Sequence, residues 1–187
     1  MAEVPFIVGL DQWLPGGLDE DAKTYLKDFG AATASNGAVG LYHVENITPE
    51  AVKYGKDLIK ENAQVYVVDD AELERVYKSY PVIWKKKDAT PKLCFMGCPH
   101  MSLNQLIDWT KKIEEGLKKY GKTKVCIPTV FTAAPAVLKK FEETPYAATL
   151  KQAGVITSYI CPLMYMNNPL SEKMPVITSS NKLRTYT

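Results

Sequence analysis

The feature that most constrains this chain is its punctuation: short apolar runs alternate with amphipathic stretches, and glycine or proline marks most of the changes. A four- to seven-residue apolar run cannot bury itself alone and is best satisfied as a strand in a shared sheet. The amphipathic stretches between such runs supply helices to cover that sheet. Strand and helix in alternation predict an α/β fold. At 187 residues the chain suits one compact domain or two small lobes.

The alternation predicts the following elements. Pro5 to Val8 is a short strand. Asp19 caps a helix to Ser35 whose apolar positions are Ala22, Tyr25, Leu26 and Phe29. Ala38 to Val44 is a strand. Thr48 caps and Pro49 opens a helix running to about Glu61. Gln64 to Val68 is a strand and Ala71 to Tyr80 a helix. Pro81 to Pro91, charged and flanked by prolines, connects two lobes, residues 1–88 and 89–187, with the boundary near Asp88. Leu93 to Met96 is a strand, and Ser102 to Tyr120 a helix stopped by Gly121. Lys124 to Val130 is a strand. Ala134 to Ala153 is helical, interrupted at Pro145 and stopped by Gly154. Val155 to Cys161 and Pro175 to Ser179 are the last strands.

Several function classes are disfavoured. The net charge is only +2, and the densest basic run is Trp84-Lys85-Lys86-Lys87 beside Asp88. Nucleic-acid binding needs a more concentrated basic face. No stretch approaches the roughly 20 apolar residues of a membrane span. No basic start followed by an apolar segment marks export. The four cysteines therefore read as reduced thiols or metal ligands in a cytoplasmic protein. There is no Gly-x-Gly-x-x-Gly, phosphate-binding loop or Gly-x-Ser-x-Gly elbow. With only His43 and His100, a histidine-rich zinc site is disfavoured.

Three loops at strand ends are placed to carry chemistry. In Leu93-Cys94-Phe95-Met96-Gly97-Cys98-Pro99-His100-Met101-Ser102, an apolar strand meets a glycine turn. Cys98 and His100 follow, and Ser102 is able to cap the next helix. Cys98 reads either as a thiolate ligand favoured by that helix or as a buried structural cysteine. In Tyr159-Ile160-Cys161-Pro162-Leu163 a second Cys-Pro closes a strand, which places Cys161 at the same sheet edge. The stretch Val176 to Tyr186 is rich in hydroxyls and carries Lys182 and Arg184. It reads as an anion-contacting segment or as a polar terminus. Cys94 and Cys126 sit inside strand-like runs and read as small buried hydrophobes. His43 ends a strand as a core histidine or a pocket residue.

These loops also carry a family resemblance. Gly97-Cys98-Pro99-His100-Met101-Ser102 resembles the Gly-Cys-Pro-His-x-Ser motif of the aconitase X large subunit. Leu26 to Val39 is similar to that family's LK-x-x-GAA-x-A-x-x-GAV segment. As in the family, a histidine-containing strand (His43) and Thr48-Pro49-Glu50-Ala51 follow. Ser180-Asn181-Lys182-Leu183-Arg184-Thr185-Tyr186 resembles its Ser-x-Lys-x-x-x-Tyr stretch. Asn46 stands where the family has a glycine-containing turn.

The resemblance implies an aconitase-like fold of three-layer α/β/α lobes and part of an iron-dependent hydro-lyase. The family includes cis-3-hydroxy-L-proline dehydratase and phosphomevalonate dehydratase, so the implied substrate is a small hydroxy acid. By position it implies Cys98 and Cys161 as ligands of an iron–sulfur cluster, with a mononuclear iron left open. It implies Ser180 as the catalytic base, and His43, His100, Ser102 and Lys182 as substrate-binding residues. Family large subunits are longer and carry an N-terminal region, where a third cysteine is expected, and they work with a small swivelling subunit. The expectation is a chain inactive without those parts. The alternative is a non-catalytic α/β module that binds a ligand or protein.

Overall fold

The computed structural model describes residues 3–80, 84, 86, 88–161, 163–164, 169 and 172–186. Pro81, Lys85 and Lys87 of the expected connection, and Pro162 of the second Cys-Pro, lie outside the described residues.

The architecture is α/β with parallel sheets. The first half contains β1 (Phe6–Ile7), α1 (Glu20–Gly37), β2 (His43–Val44), α2 (Pro49–Tyr54) and α3 (Asp70–Ser79). β1 and β2 form a two-stranded parallel pair. The second half contains β3 (Leu93–Met101), α4 (Leu103–Lys119), β4 (Thr129–Ala133), α5 (Pro135–Glu142), α6 (Pro145–Gln152), β5 (Val155–Ser158), β6 (Val176–Ile177) and α7 (Asn181–Tyr186). Its four strands pair in parallel in the order β5-β4-β3-β6. No described helix is long and apolar enough to cross a membrane.

Helix starts follow from local chemistry. The Asp19 carboxylate accepts from the Ala22 amide at 2.8 Å, satisfying one of the amides the first turn leaves free. α1 ends where Ala38 turns left-handed at φ 53°. On its buried face, Ala22 and Leu26 enter the core. Phe29 meets the Tyr42 ring edge-on at 5.0 Å, and the Tyr42 hydroxyl donates to the Leu26 carbonyl at 2.8 Å. Ser102 and Gln105 form a reciprocal capping box at the start of α4. Pro145 separates α5 from α6, as the sequence predicts.

The core lies on both faces of the larger sheet. One face packs Met96, Leu106, Phe131, Phe141 and Leu150 beneath α4, α5 and α6. The other packs Leu93, Phe95, Cys98, Val130 and Leu183. Fully burying a side chain such as Phe95 or Phe131 stabilises the fold by about 1.5–3 kcal/mol.

Several boundaries differ from the sequence reading. The strand expected over Lys124 to Val130 lies instead at Thr129–Ala133, every residue of which is buried. A central strand covered on both faces need not alternate, so hydroxyl-bearing Thr129 and Thr132 serve there. Cys126 consequently sits in the preceding loop and is exposed, not the small buried hydrophobe expected, whereas Cys94 is partly buried and packs against the core. Ala38 to Val44 contributes only His43–Val44 to a strand. The helix after Thr48 yields at Gly55 (φ 56°) to a 3₁₀ turn, Gly55–Leu58, instead of continuing to Glu61. Thr48 makes no side-chain cap; its hydroxyl accepts from the Val44 amide at 2.9 Å. Gln64 to Val68 is exposed and pairs with no strand in either sheet. Val155–Ser158 stops short of Cys161. Residues after Ser180 form a short helix where the sequence offered only a polar stretch. Asn46 adopts φ 61°, a conformation that glycine and asparagine tolerate best, which accounts for the asparagine at this turn.

Candidate functional site

The site is built on an irregularity in β3. Side chains alternate across a strand, and Leu93 and Phe95 face the α7 side while Cys94 and Met96 face α4. Simple continuation would send Cys98 toward α4. The register shifts between Met96 and Met101, and Gly97 adopts φ 109°. Cys98 therefore joins Leu93 and Phe95 on the α7 side. The buried Thr132 hydroxyl secures the irregularity by donating toward the Gly97 carbonyl at 2.8 Å. A cis Cys98–Pro99 peptide follows.

The Ser180 turn closes on this loop. The Ser180 hydroxyl donates to the Cys98 carbonyl. The same oxygen accepts from the Leu183 amide at 2.9 Å, as a helix N-cap does. Cys98 is 7% exposed. Burial pushes its pKa up; the Ser180 hydroxyl and the Lys182 cation pull it down, and nearby Cys161 pushes it up slightly further. Cys98, Ser180, Asn181 and Lys182 line a cleft of ≈ 440 Å³, faced across by Tyr25, Asp28 and Phe29 of α1 and by Gln105 and Trp109 of α4.

A polar network fixes the opposite wall. Lys27 Nζ donates to Asp28 Oδ1 at 2.7 Å and to the His100 carbonyl at 2.8 Å. Gln105 Nε2 donates to Asp28 Oδ2 at 2.6 Å. These contacts tie α1 to the start of α4, so the Asp28 carboxylate is held in place at the cleft wall.

The seven residues singled out by sequence are distributed unevenly. Cys98, Ser180 and Lys182 meet in the cleft. Cys161 lies beyond the end of β5, exposed, yet close enough to Cys98 to act on its charge. His100 is half-buried next to the cleft, and its backbone carbonyl is what Lys27 holds. Ser102 caps α4 and accepts from the Thr24 hydroxyl at 3.1 Å. His43 sits in β2 beside Phe6, with ring centroids 6.5 Å apart, and its Nδ1 is buried without a partner among the described residues.

Sequence reasoning missed Asp28, Gln105, Trp109 and Asn181. Gln105 had a readable signal, since Ser102-x-x-Gln105 is a capping-box spacing. Asn181 had none beyond its place next to Ser180; its Oδ1 is buried and unpaired among the described residues.

Among the described residues, no group of three or more His, Cys, Asp or Glu side chains is arranged to hold a metal ion. The thiols that influence one another here are Cys98 and Cys161, a donor set that would supply part of a thiolate-held metal centre and not a whole one. The thiols differ in accessibility, and that difference is measurable. Iodoacetamide should label Cys126 and Cys161 first and Cys98 slowest. A raised pKa keeps Cys98 protonated to higher pH, so its labelling rate should climb at higher pH than that of a free cysteine. Peptide mass spectrometry over a pH series reads both effects, and equal labelling of Cys98 and Cys126 at neutral pH would contradict this geometry.

Residues 2–78 match the family described as Aconitase X second domain. The chain is 32% identical over 165 residues to the phosphomevalonate dehydratase large subunit of Methanosarcina mazei, covering 88% of this chain and 36% of that protein. It is 34% identical over 120 residues to the same subunit of Thermococcus kodakarensis, covering 64% of this chain and 28% of that one. It is 31% identical over 108 residues to cis-3-hydroxy-L-proline dehydratase of Hypocrea jecorina, covering 56% and 16%. The crystal structure of Thermococcus kodakaraensis aconitase X in its holo-form superposes with a TM-score of 0.71 at 26% identity, covering 99% of this chain and 42% of that one. The chain thus spans less than half the length of each of these relatives.

Proposed function

This chain is related to the aconitase X family over nearly its whole length, and from that premise we propose that it supplies part of a hydro-lyase site that dehydrates a small hydroxy acid. The observation that carries the reading is the meeting of the Cys98 loop with the Ser180–Lys182 turn in one cleft. The substrate class is that of the relatives, a hydroxyproline or a phosphorylated hydroxy acid. In this reading two lobes, 1–88 and 89–187, share the site, and the presence of one sheet in each half supports the division. The free thiols suit the reducing cytoplasm.

Each group has a task in this reading. Lys182 places a positive charge where the substrate carboxylate binds. Ser180, as its alkoxide, takes the proton from the carbon beside that carboxylate, and returning that proton to the departing hydroxide releases water and restores the alkoxide. A serine acts as a base only where its oxyanion is stabilised. The Leu183 amide already donates to Ser180 Oγ at 2.9 Å, and Lys182 lines the same cleft. Cys98 and Cys161 would hold part of an iron centre, of the iron–sulfur type or mononuclear. When bound, such a centre supplies a Lewis acid that eases departure of the hydroxyl. His100 and Ser102 keep the loop next to the substrate in place, while His43, with its unpaired Nδ1, awaits a polar partner from outside the described residues.

With two thiols where a thiolate-held cluster needs more, the reading requires companion polypeptide: the remainder of a large-subunit-type chain and a small subunit. The test is to assemble the chain with those parts, load iron anaerobically, and assay water loss from hydroxyproline and phosphomevalonate. Turnover is expected, together with loss of both iron and activity in Cys98→Ala. An iron-loaded assembly that dehydrates neither compound would instead favour a non-catalytic binding module.

A further inference from the structure

Residues 64–80 pair an extended, strand-favouring segment with a helix, and the segment joins no sheet among the described residues. Gln64 to Val68 carries strand-favouring Val65, Tyr66, Val67 and Val68 in sequence, yet these residues belong to neither sheet. Tyr66 and Val68 face α3, and the Tyr66 hydroxyl donates to Glu72. Val65 and Val67 lie outside that groove and are 89% and 68% exposed.

α3 is equally bare. It has no buried residue and packs substantially against no other described helix or strand. Its apolar stripe of Leu73, Val76 and Tyr77 continues into Tyr80. With Tyr66 and Val68 it bounds an open groove of ≈ 570 Å³. An exposed run of strand-favouring residues beside an uncovered apolar helix face is normally found only where another chain or domain completes the layer.

Two observations bear on what completes it. First, the whole chain matches only 42% of the aconitase X structure it superposes on, and its residues 2–78 match a domain described as the second of that family. Second, Tyr80 borders both this groove and the Cys98–Ser180 cleft, and its ring lies 4.5 Å from the Arg184 guanidinium of α7. Whatever fills the groove therefore adjoins the cleft wall.

We infer that Val65 to Val68 and the apolar face of α3 are the docking surface for the remaining part of an aconitase X-type large subunit, which pairs a sheet edge with residues 65–68. The inference rests on the proposal that this chain is one part of such an assembly. It goes further by naming the surface, and by placing the junction next to Tyr80.

The test uses the whole chain and, as probe, the portion of Thermococcus kodakaraensis aconitase X outside its matched 42%, expressed as a separate polypeptide and first shown to bind its own matched segment. Sedimentation is expected to give a one-to-one complex. Hydrogen exchange should show amides 65–68 unprotected in the free chain and protected in the complex. Val65→Lys/Val67→Lys should leave the melting temperature of the free chain unchanged, because both side chains are exposed, yet weaken complex formation roughly a hundredfold. Absence of a complex would overturn the inference. So would a complex without protection at 65–68, or self-association of the chain that protects those amides instead. The readout is binding and exchange, so a complex that forms here and proves inactive on hydroxy acids sinks the catalytic reading and leaves the docking surface standing.

Discussion

Gly97→Ala is expected to destabilise the second-half sheet by about 4 kcal/mol, at the upper end of what single substitutions do. Two effects add. The backbone at Gly97 has φ 109°, a region that a side chain occupies only under strain, which costs of order 1–3 kcal/mol. A β-carbon there would also lie 2.3 Å from the Thr132 carbonyl oxygen and 2.5 Å from its hydroxyl. Those atoms belong to the buried central strand β4 and have no room to retreat. Thr132→Ala alone removes only the hydroxyl contact and should cost about 1 kcal/mol. The double variant Gly97→Ala/Thr132→Ala therefore separates the contributions. It should recover the hydroxyl clash and retain both the φ strain and the carbonyl clash. Urea unfolding of the three variants reads the result, and a Gly97→Ala protein within 1 kcal/mol of wild type would refute the bulge geometry.

That glycine also explains why the site was only partly legible in the sequence. The strand around Phe95, the cap at Ser102 and the break at Pro145 depend on local chemistry, which nearby residues state directly. The face on which Cys98 lies does not. Alternation read from Leu93 onward puts Cys98 with Met96, and only the register shift at Gly97 sends it to Ser180. The meeting of Cys98 with Ser180, 82 positions apart, is a consequence of β6 pairing alongside β3. Spacing along the chain carries no such information; only the family resemblance joined the two motifs in advance. The opposite failure occurs at Gln64 to Val68. Its composition favours a strand, but the structure forms none there: a strand exists only when an edge is available to pair with, and the described residues offer it none. At Lys124 to Val130 the apolar letters misled because β4 is covered on both faces, where threonine serves as well as valine. The cleft's far wall was invisible for a simpler reason. Asp28 and Gln105 look like ordinary polar helix residues until α1 and α4 are brought side by side.

Ser180→Ala tests the chemical proposal with the largest expected effect on turnover. Ser180 holds two structural bonds, to the Cys98 carbonyl and from the Leu183 amide. Losing an N-cap costs about 1 kcal/mol, so a modest fall in stability is expected whatever the residue does in catalysis. Removal of a general base lowers kcat by roughly 10²–10⁴. A cap and a base are distinguished by Ser180→Asn. Asparagine caps a helix as well as serine does, so stability should return to within a few tenths of a kcal/mol of wild type. Its amide cannot take up a proton at neutral pH, so kcat of the iron-loaded assembly should stay as low as in Ser180→Ala. Melting temperature and kcat measured on the same preparations give the two axes. KM should change little in both variants, because Lys182 remains to bind the carboxylate. If Ser180→Asn restores turnover along with stability, Ser180 is a cap that positions the Cys98 loop, and the proton goes to another group in the cleft. Asp28 is then the next candidate, since it is the one carboxylate lining that wall among the described residues.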